Sequence, residues 1–180
     1  FSGDGGGGDQ SGTFSIGSTV TITDIYDIQY VTDPDTDDAS PLLGQTVTVQ
    51  GIVTGVRYNG VHVQDAAAPW SGIWVYTVSS SGLNLGDLVR ATGEVEEYNT
   101  LIEILSTADD CELLGSGYDL EWLTMDSTGQ ANNEMYEGML VHIGGTCVDE
   151  DISDYGQWEI DDGSGAVQVE DHYIDWQPTL

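Results

Sequence analysis

The sequence predicts an all-β protein made of two Greek-key barrel segments, the second of them incomplete. Apolar and polar residues alternate in runs of five to ten, as half-buried strands require, and Gly- or Asp-containing turns separate the runs. Almost no stretch shows the helical spacing of three to four residues. Short strands joined by tight turns are typical of a barrel or a sandwich.

The first segment follows a Gly/Asp-rich tether at residues 1–18 and is predicted to span residues 19–108. Alternation predicts strands at 19–30, on both sides of Asn59-Gly60 within 45–65, at 71–77, and twice within 86–105 around Asn99. The first strand of the 45–65 hairpin is long and is interrupted by Gly51 and Gly55, which would let it bend around a barrel corner. These features favour a small barrel of the OB type.

The second segment is predicted to span residues 109–180. A short helix is expected in LEWLTM (120–125) or TGQANNEMYEG (128–138), and strands are expected at 138–151, 156–163 and 165–174. These strands are too few for a five-strand barrel, so an open sheet edge is expected. Another part of this chain, such as residues 13–30, a neighbouring molecule, or sequence missing after residue 180 would complete the barrel. We expect the N-terminal strand at 19–30 to pair with such an edge on the next subunit, which would build a head-to-tail oligomer or filament.

Four stretches of the first segment form a combined pattern: GQTVTVQGIVTGV, GVHVQD, GIWVYT and GDLVRATGEVEEY. Together they resemble the OB-fold module of secreted bacterial nucleases and multidomain bacterial surface proteins. The stretches YEGMLVHI and WEIDDGSGAVQVED resemble the β segment that follows that module. The resemblance covers about residues 25–175. It implies the fold and an extracellular location, but no nuclease activity, because the nuclease domain is not in this sequence.

The charge of the chain limits its partners. Thirty-two acidic residues against two basic ones give a formal net charge of −30, which repels nucleic acids and anionic membranes. Such a surface suits divalent cations, a high-salt setting, or both. No apolar run is long enough to span a membrane. The Gly/Asp-rich head resembles the tether of a processed, lipoprotein-like exported protein, so an extracellular or cell-surface location is expected.

Clustered carboxylates make Ca²⁺ the expected ion, because hard cations prefer several oxygen ligands. One cluster occupies the loop before the first hairpin, and a second occupies a loop and strand end in the second segment. A diffuse counterion cloud remains the alternative to a specific site. The candidate ligands are Asp33, Asp35, Asp37, Asp149, Asp151, Asp154, Asp161 and Asp162.

Aromatic residues provide the candidate ligand-binding surface, since OB barrels stack bases or sugars on one face. Trp74 and Tyr76 share a strand face, although core or interface roles are the alternative. The candidates are Tyr58, Trp70, Trp74, Tyr76 and Tyr98. The two cysteines, Cys111 and Cys147, are expected to form a disulfide in an exported protein, with two buried free thiols as the alternative.

These observations favour a non-enzymatic, exported structural protein that self-assembles, with Ca²⁺ screening its acidic surface. The three histidines, His62, His142 and His172, show no spacing to a nucleophile, and the sequence has no lysine. The alternative function is a glycan- or oligonucleotide-binding accessory module of a secreted hydrolase system. A neutral glycan suits the charge better than a nucleic acid does.

Overall fold

A closed five-strand barrel forms the larger part of the structure. The structure is a computed structural model, and it describes residues 20–77, 79, 82–149 and 157–170. The strand order around the barrel is β1-β2-β3-β5-β4, which is the order of an OB-like Greek-key barrel. Its strands are β1 (Thr46–Arg57), β2 (Gly60–Gln64), β3 (Gly72–Tyr76), β4 (Leu88–Tyr98) and β5 (Leu101–Gly115). The predicted all-β barrel fold is confirmed.

The long strand β1 closes the barrel because it pairs with two neighbouring strands. The first half of β1 pairs antiparallel with β4 and the second half with β2, and a β-bulge between Val53 and Gly55 marks the bend. A side chain at Gly51 would meet the backbone oxygen of Gln64 at 2.6 Å, so only glycine fits there. The Asn59-Gly60 turn and the turn at Asn99 lie where the sequence predicted them, and β5 continues past residue 108 to Gly115.

The core of the barrel is built from inward-facing aliphatic side chains. Alternation along each strand places them inside, as the pattern of the sequence requires. The cluster contains Ile25, Ile28, Val47, Val49, Val53, Val61, Val63, Ile73, Val75, Val89, Ala91, Val95, Ile102 and Ile104. Two of these residues precede the first strand, so a segment outside the barrel completes its core.

That segment is a short helix, and the predicted strand at 19–30 is wrong. Helix α1 spans Ile25–Gln29, and both Ile25 and Ile28 are fully buried because their spacing of three residues puts them on one helix face. The amide of Ile25 donates to Asp65 Oδ2 at 2.9 Å, which satisfies the helix start from a distant loop. At the other end, Gln29 Nε2 donates to the carbonyl of Gly72 at 2.7 Å.

The contacts of α1 also correct the expected exchange of residues 19–30 between subunits. Just before α1, the amide of Thr23 donates to the carbonyl of Thr48 in β1 at 2.7 Å. The described part of the segment therefore packs on its own barrel without forming the strand that the exchange requires, while pairing between subunits stays a prediction. Residues 1–19 lie outside the described residues.

The second segment forms two small sheets and two short helices. Strands β6 (Leu123–Thr124) and β7 (Val141–His142) pair in parallel. Helix α2 (Thr128–Ala131) and a 3₁₀ helix (Glu134–Tyr136) confirm the predicted helical stretch. The predicted strand at 138–151 is divided into β7 and β8 (Thr146–Asp149), and it is followed by β9 (Gln157–Asp161) and β10 (Val167–Glu170).

The last three strands form an antiparallel sheet in the order β10-β9-β8. Within the described ranges, β8 and β10 each pair with β9 alone, and these strands do not close into a second barrel. Buried residues of this segment include Met125, Thr128, Trp158 and Ile160. In the part of the chain that the structure describes, no helix has the length and apolar character needed to cross a membrane.

Substitution of Ile28 by Ala should test whether α1 completes the core. Removing a fully buried side chain leaves a cavity, so we expect the free energy of unfolding to fall by about 2–5 kcal/mol. Urea unfolding followed by tryptophan fluorescence measures this change. The matched control is Asp27→Ala on the exposed side of the same helix, for which we expect a change within about 0.5 kcal/mol. Equal effects of the two substitutions would contradict a core role for α1.

Candidate functional site

The predicted aromatic residues divide into two groups in the structure. Tyr58, in the β1–β2 turn, and Tyr98, at the end of β4, are 83% and 65% exposed. Trp70 and Trp74 are buried, and Tyr76 is partly exposed. The fold therefore does not bring all five together, and the two tryptophans are not available on an open stacking surface.

Trp74 lies on the outer face of β2 and β3. His62 and Trp74 are cross-strand partners, and their ring centroids lie 4.8 Å apart. The Trp74 indole lies over Gly60, where any added side chain would meet it at 2.4 Å. Burial, assisted by the positive charge of Arg57, lowers the pKa of His62 to about 4, so its imidazole is neutral at physiological pH.

The second segment covers part of this outer face, and Gln64 at the end of β2 holds it there. Gln64 Nε2 donates to the carbonyl of Glu121, and Gln64 Oε1 accepts from the amide of Leu140, each at 3.0 Å. Gln64 is only 5% exposed, so these two bonds satisfy a buried amide. Two separate stretches of the second segment are thereby attached to one barrel side chain.

Two glycines allow the close approach of the second segment to β3. A side chain at Gly72 would meet the carbonyl oxygen of Gly138 at 2.4 Å, and one at Gly138 would meet the backbone of Gly72 at 2.9 Å. Nearby, the amide of Trp70 donates to the carbonyl of Met135 at 2.8 Å. The backbone of the second segment thus contacts the start of β3 directly.

No motif in the sequence predicts that this outer face is covered. Gln64, Gly72 and Gly138 carry no motif, and Gln64 continues an ordinary strand alternation. The one available signal was the excess of large apolar or aromatic residues in GIWVY, where four of five residues are buried. A strand with both faces apolar indicates that both faces are covered.

The first predicted metal cluster forms a local turn. Asp33 Oδ2 accepts from the Thr36 hydroxyl at 3.0 Å, and the amides of Thr36 and Asp37 donate to the Asp33 carbonyl. Asp37 Oδ1 accepts from the amide of Ala39 at 3.2 Å. Side-chain oxygens of Asp33 and Asp37 therefore stabilise the loop that connects α1 to β1, and Asp35 lies between them.

In the second predicted cluster, Asp161 and Asp162 fix α2 to the turn between β9 and β10. Asp162 Oδ1 accepts from the hydroxyl groups of Thr128 and Ser164, and Asp161 Oδ1 accepts from the amides of Gly163 and Gly165. The bonds from Ser164 and Thr128 lower the pKa of Asp162 to about 2. These carboxylates are structural acceptors.

Of the remaining predicted ligands in this cluster, Asp149 alone lies within the described residues. Asp149 is the last residue of β8, and Asp151 and Asp154 lie outside the described residues. Across the ranges that the structure describes, no three His, Cys, Asp or Glu side chains are grouped closely enough to hold a metal ion. The specific Ca²⁺ site stays a prediction.

The two cysteines are free in the structure, so the expected disulfide is absent from it. Cys111 lies on β5 opposite Ala91, and Cys147 lies on β8 opposite Ile160. Burial raises the pKa of the Cys111 thiol, which favours the protonated, unreactive form. The alternative of two free thiols agrees with this arrangement.

A group of carboxylates lies where the second segment meets the barrel. Glu137 follows the 3₁₀ helix and accepts a hydrogen bond from the amide of Ile102 in β5 at 3.2 Å. Burial, together with the charges of Glu134, Asp38 and Glu97, raises the pKa of Glu137 to about 8, and the hydrogen bond from Ile102 opposes this shift. Glu137 is therefore mainly protonated at neutral pH. This residue was also missed, because its burial depends on a contact 35 residues away.

Comparisons with known proteins identify no family. No protein-family model matches the sequence, and no curated protein matches it. A solved structure, the hypothetical protein ygiW from E. coli, is similar at 22% identity with a TM-score of 0.31, covering 40% of this chain and 77% of that one. The OB-like architecture rests on the barrel itself.

Replacing Glu137 with Gln should change how stability depends on pH. The folded protein retains the Glu137 proton up to about pH 8, whereas the unfolded chain releases it near the ordinary pKa of 4.5. The free energy of unfolding should therefore fall as pH rises between these values, by at most about 1.4 kcal/mol per pH unit. Urea titrations at several pH values measure this slope.

Glu137→Gln should remove this contribution and make the variant more stable than the wild type at pH 8. The matched control is Glu94→Gln, at an exposed position on β4, which should leave the slope unchanged. A Glu137→Gln variant with the wild-type slope would show that Glu137 is ionised in the folded protein.

Proposed function

We propose that this chain is a non-enzymatic, exported structural protein that self-associates at the cell surface or outside the cell. One observation carries the proposal: the aromatic outer face of β2 and β3 is covered by the chain's own second segment, through Gln64, Gly72 and Gly138. OB-like barrels bind ligands on this face. Its use as an internal contact favours a structural role over a ligand-binding one.

Open strand edges support the self-association. Among the described strands, β8 and β10 are the two ends of the three-stranded sheet. An unpaired edge exposes backbone donors and acceptors that a strand of another molecule can satisfy. Pairing of β8 with β10 of the next molecule is heterologous and repeats, so it builds a filament, whereas β8–β8 pairing would stop at a dimer. We propose the repeating contact.

The charge of the chain makes such assembly dependent on cations. Two surfaces that each belong to a chain of net charge −30 repel each other, and salt reduces this repulsion. Ca²⁺ is the proposed screening ion because it binds carboxylate oxygens. Screening requires no preformed site, so it is compatible with the hydrogen-bonded state of Asp161 and Asp162.

A matched pair of substitutions should test the edge of β8. Val148 on β8 and Val20 before α1 are 51% and 52% exposed, so Val148→Lys and Val20→Lys make the same change of charge at equal exposure. We expect Val148→Lys to weaken assembly at least about tenfold, because a lysine on an edge strand blocks strand addition. Sedimentation velocity and electron microscopy, with Ca²⁺ or with NaCl at equal ionic strength, measure assembly.

These experiments distinguish the self-assembly itself from the strand edge that mediates it. If both assemble equally well, β8 is not the contact. If the wild type stays monomeric at micromolar concentration in Ca²⁺, the structural role itself is wrong. Assembly should be greater in Ca²⁺ than in NaCl, and equal assembly would leave only general screening.

The second candidate is a glycan-binding accessory module, and the exposure of Tyr58 and Tyr98 supports it. Exposed aromatic rings stack on the apolar faces of sugars, and a neutral glycan is not repelled by the acidic surface. If this function applies, calorimetric titration with neutral oligosaccharides should give saturable binding that Tyr58→Ala or Tyr98→Ala weakens about tenfold. Tyr118→Ala, which removes another half-exposed tyrosine, is the control. No saturable binding to the wild type would exclude this candidate.

A further inference from the structure

An apolar cavity of about 520 Å³ lies between the barrel and the second segment. Pockets of this size hold small molecules in many proteins. Its walls come from β1, β2, the loop before β4 and two stretches of the second segment. The residues that form them include Thr54, Val56, His62, Leu85, Leu120 and Leu140.

The lining is unusual for so acidic a chain. Of the described residues that line the cavity, none is Asp, Glu, Lys or Arg, although the chain has 32 acidic residues. Leucine and valine side chains supply most of the surface. The polar side chains are those of Thr54, whose hydroxyl can donate or accept a hydrogen bond, and His62, whose imidazole is neutral at physiological pH.

These properties select the charge of a ligand. An anion is repelled by the net charge of −30 as it approaches. A cation that enters finds no carboxylate among the described lining residues, so its loss of hydration is not compensated. A neutral molecule meets neither cost and gains the burial of its apolar surface.

We propose that this cavity binds a neutral, mainly apolar small molecule that carries one hydrogen-bonding group. Val56, Leu85 and Leu140 contact its apolar part, and the hydroxyl of Thr54 binds the polar group. This binding is independent of the proposed assembly, because the cavity lies between parts of a single chain.

Two probes with the same ring system test the selection of charge. N-phenyl-1-naphthylamine is neutral and has one N–H donor, and 8-anilinonaphthalene-1-sulfonate adds a sulfonate to that structure. Fluorescence titration of the full chain should give saturable one-to-one binding of the neutral probe. We expect its Kd to be at least about tenfold lower than that of the sulfonate. Equal affinity for the two probes, or no saturable binding of the neutral one, would overturn the proposal.

Variants of the lining locate the bound probe. Leu85→Trp in the barrel and Leu140→Trp in the second segment each add a large side chain to the lining, and each should weaken binding of the neutral probe at least about tenfold. Leu85 is 57% exposed, so its substitution leaves the core intact. The matched control is Leu43→Trp, at a 48% exposed leucine away from the cavity, which should bind like the wild type. Undiminished binding to folded Leu85→Trp, verified by its circular dichroism and melting, would show that the probe binds elsewhere.

Discussion

The position of the second segment depends on the side-chain amide of Gln64. One end of this amide donates to the carbonyl of Glu121 and the other accepts from the amide of Leu140. Only a side chain with both a donor and an acceptor at this reach can bind both stretches; glutamate lacks the donor and leucine lacks both. Loss of the amide would leave two backbone groups without this partner, at a cost of about 1–3 kcal/mol for each group that stays buried.

The contact between Gly72 and Gly138 supports the same arrangement, because it leaves no room for a side chain at either position. Because backbone meets backbone there, the second segment lies directly on the start of β3. The neighbouring aromatic residues then become part of an internal junction. The carboxylates around Glu137 lie in the same region, so the junction combines this close backbone contact with an electrostatic cost that protonation of Glu137 reduces. A junction of this kind holds the two parts of the chain in a fixed relation, as a structural subunit requires.

Local signals in the sequence predicted the barrel well. Alternation predicted β1 and β4 because one face of each is buried, and Asn59-Gly60 marked the turn between β1 and β2. The helix α1 was missed for a physical reason. It has only five residues, it follows the alternating stretch TVTIT, and the group that accepts from its first amide, Asp65, lies 40 residues away. Composition and spacing do not carry that information.

The candidate sites were less predictable, since their chemistry depends on distant partners. Asp161 and Asp162 resemble metal ligands in the sequence, yet Thr128, which is 34 residues from Asp162, donates to them. Clustered acids alone do not distinguish a cation site from a set of hydrogen-bond acceptors. The same limit applies to Cys111 and Cys147, whose spacing along the chain does not fix the distance between their sulfur atoms.

The contacts of α1 impose an order on folding during vectorial synthesis. Ile25 and Ile28 leave the ribosome before any strand of the barrel exists, whereas the residues that bind the two ends of the helix, Asp65 and Gly72, follow 40 and 43 residues later. The apolar side chains of α1 therefore stay exposed until β2 and the start of β3 have emerged. The helix is thus made before the strands that it packs on, and the nascent chain must keep its apolar side chains soluble until those strands emerge.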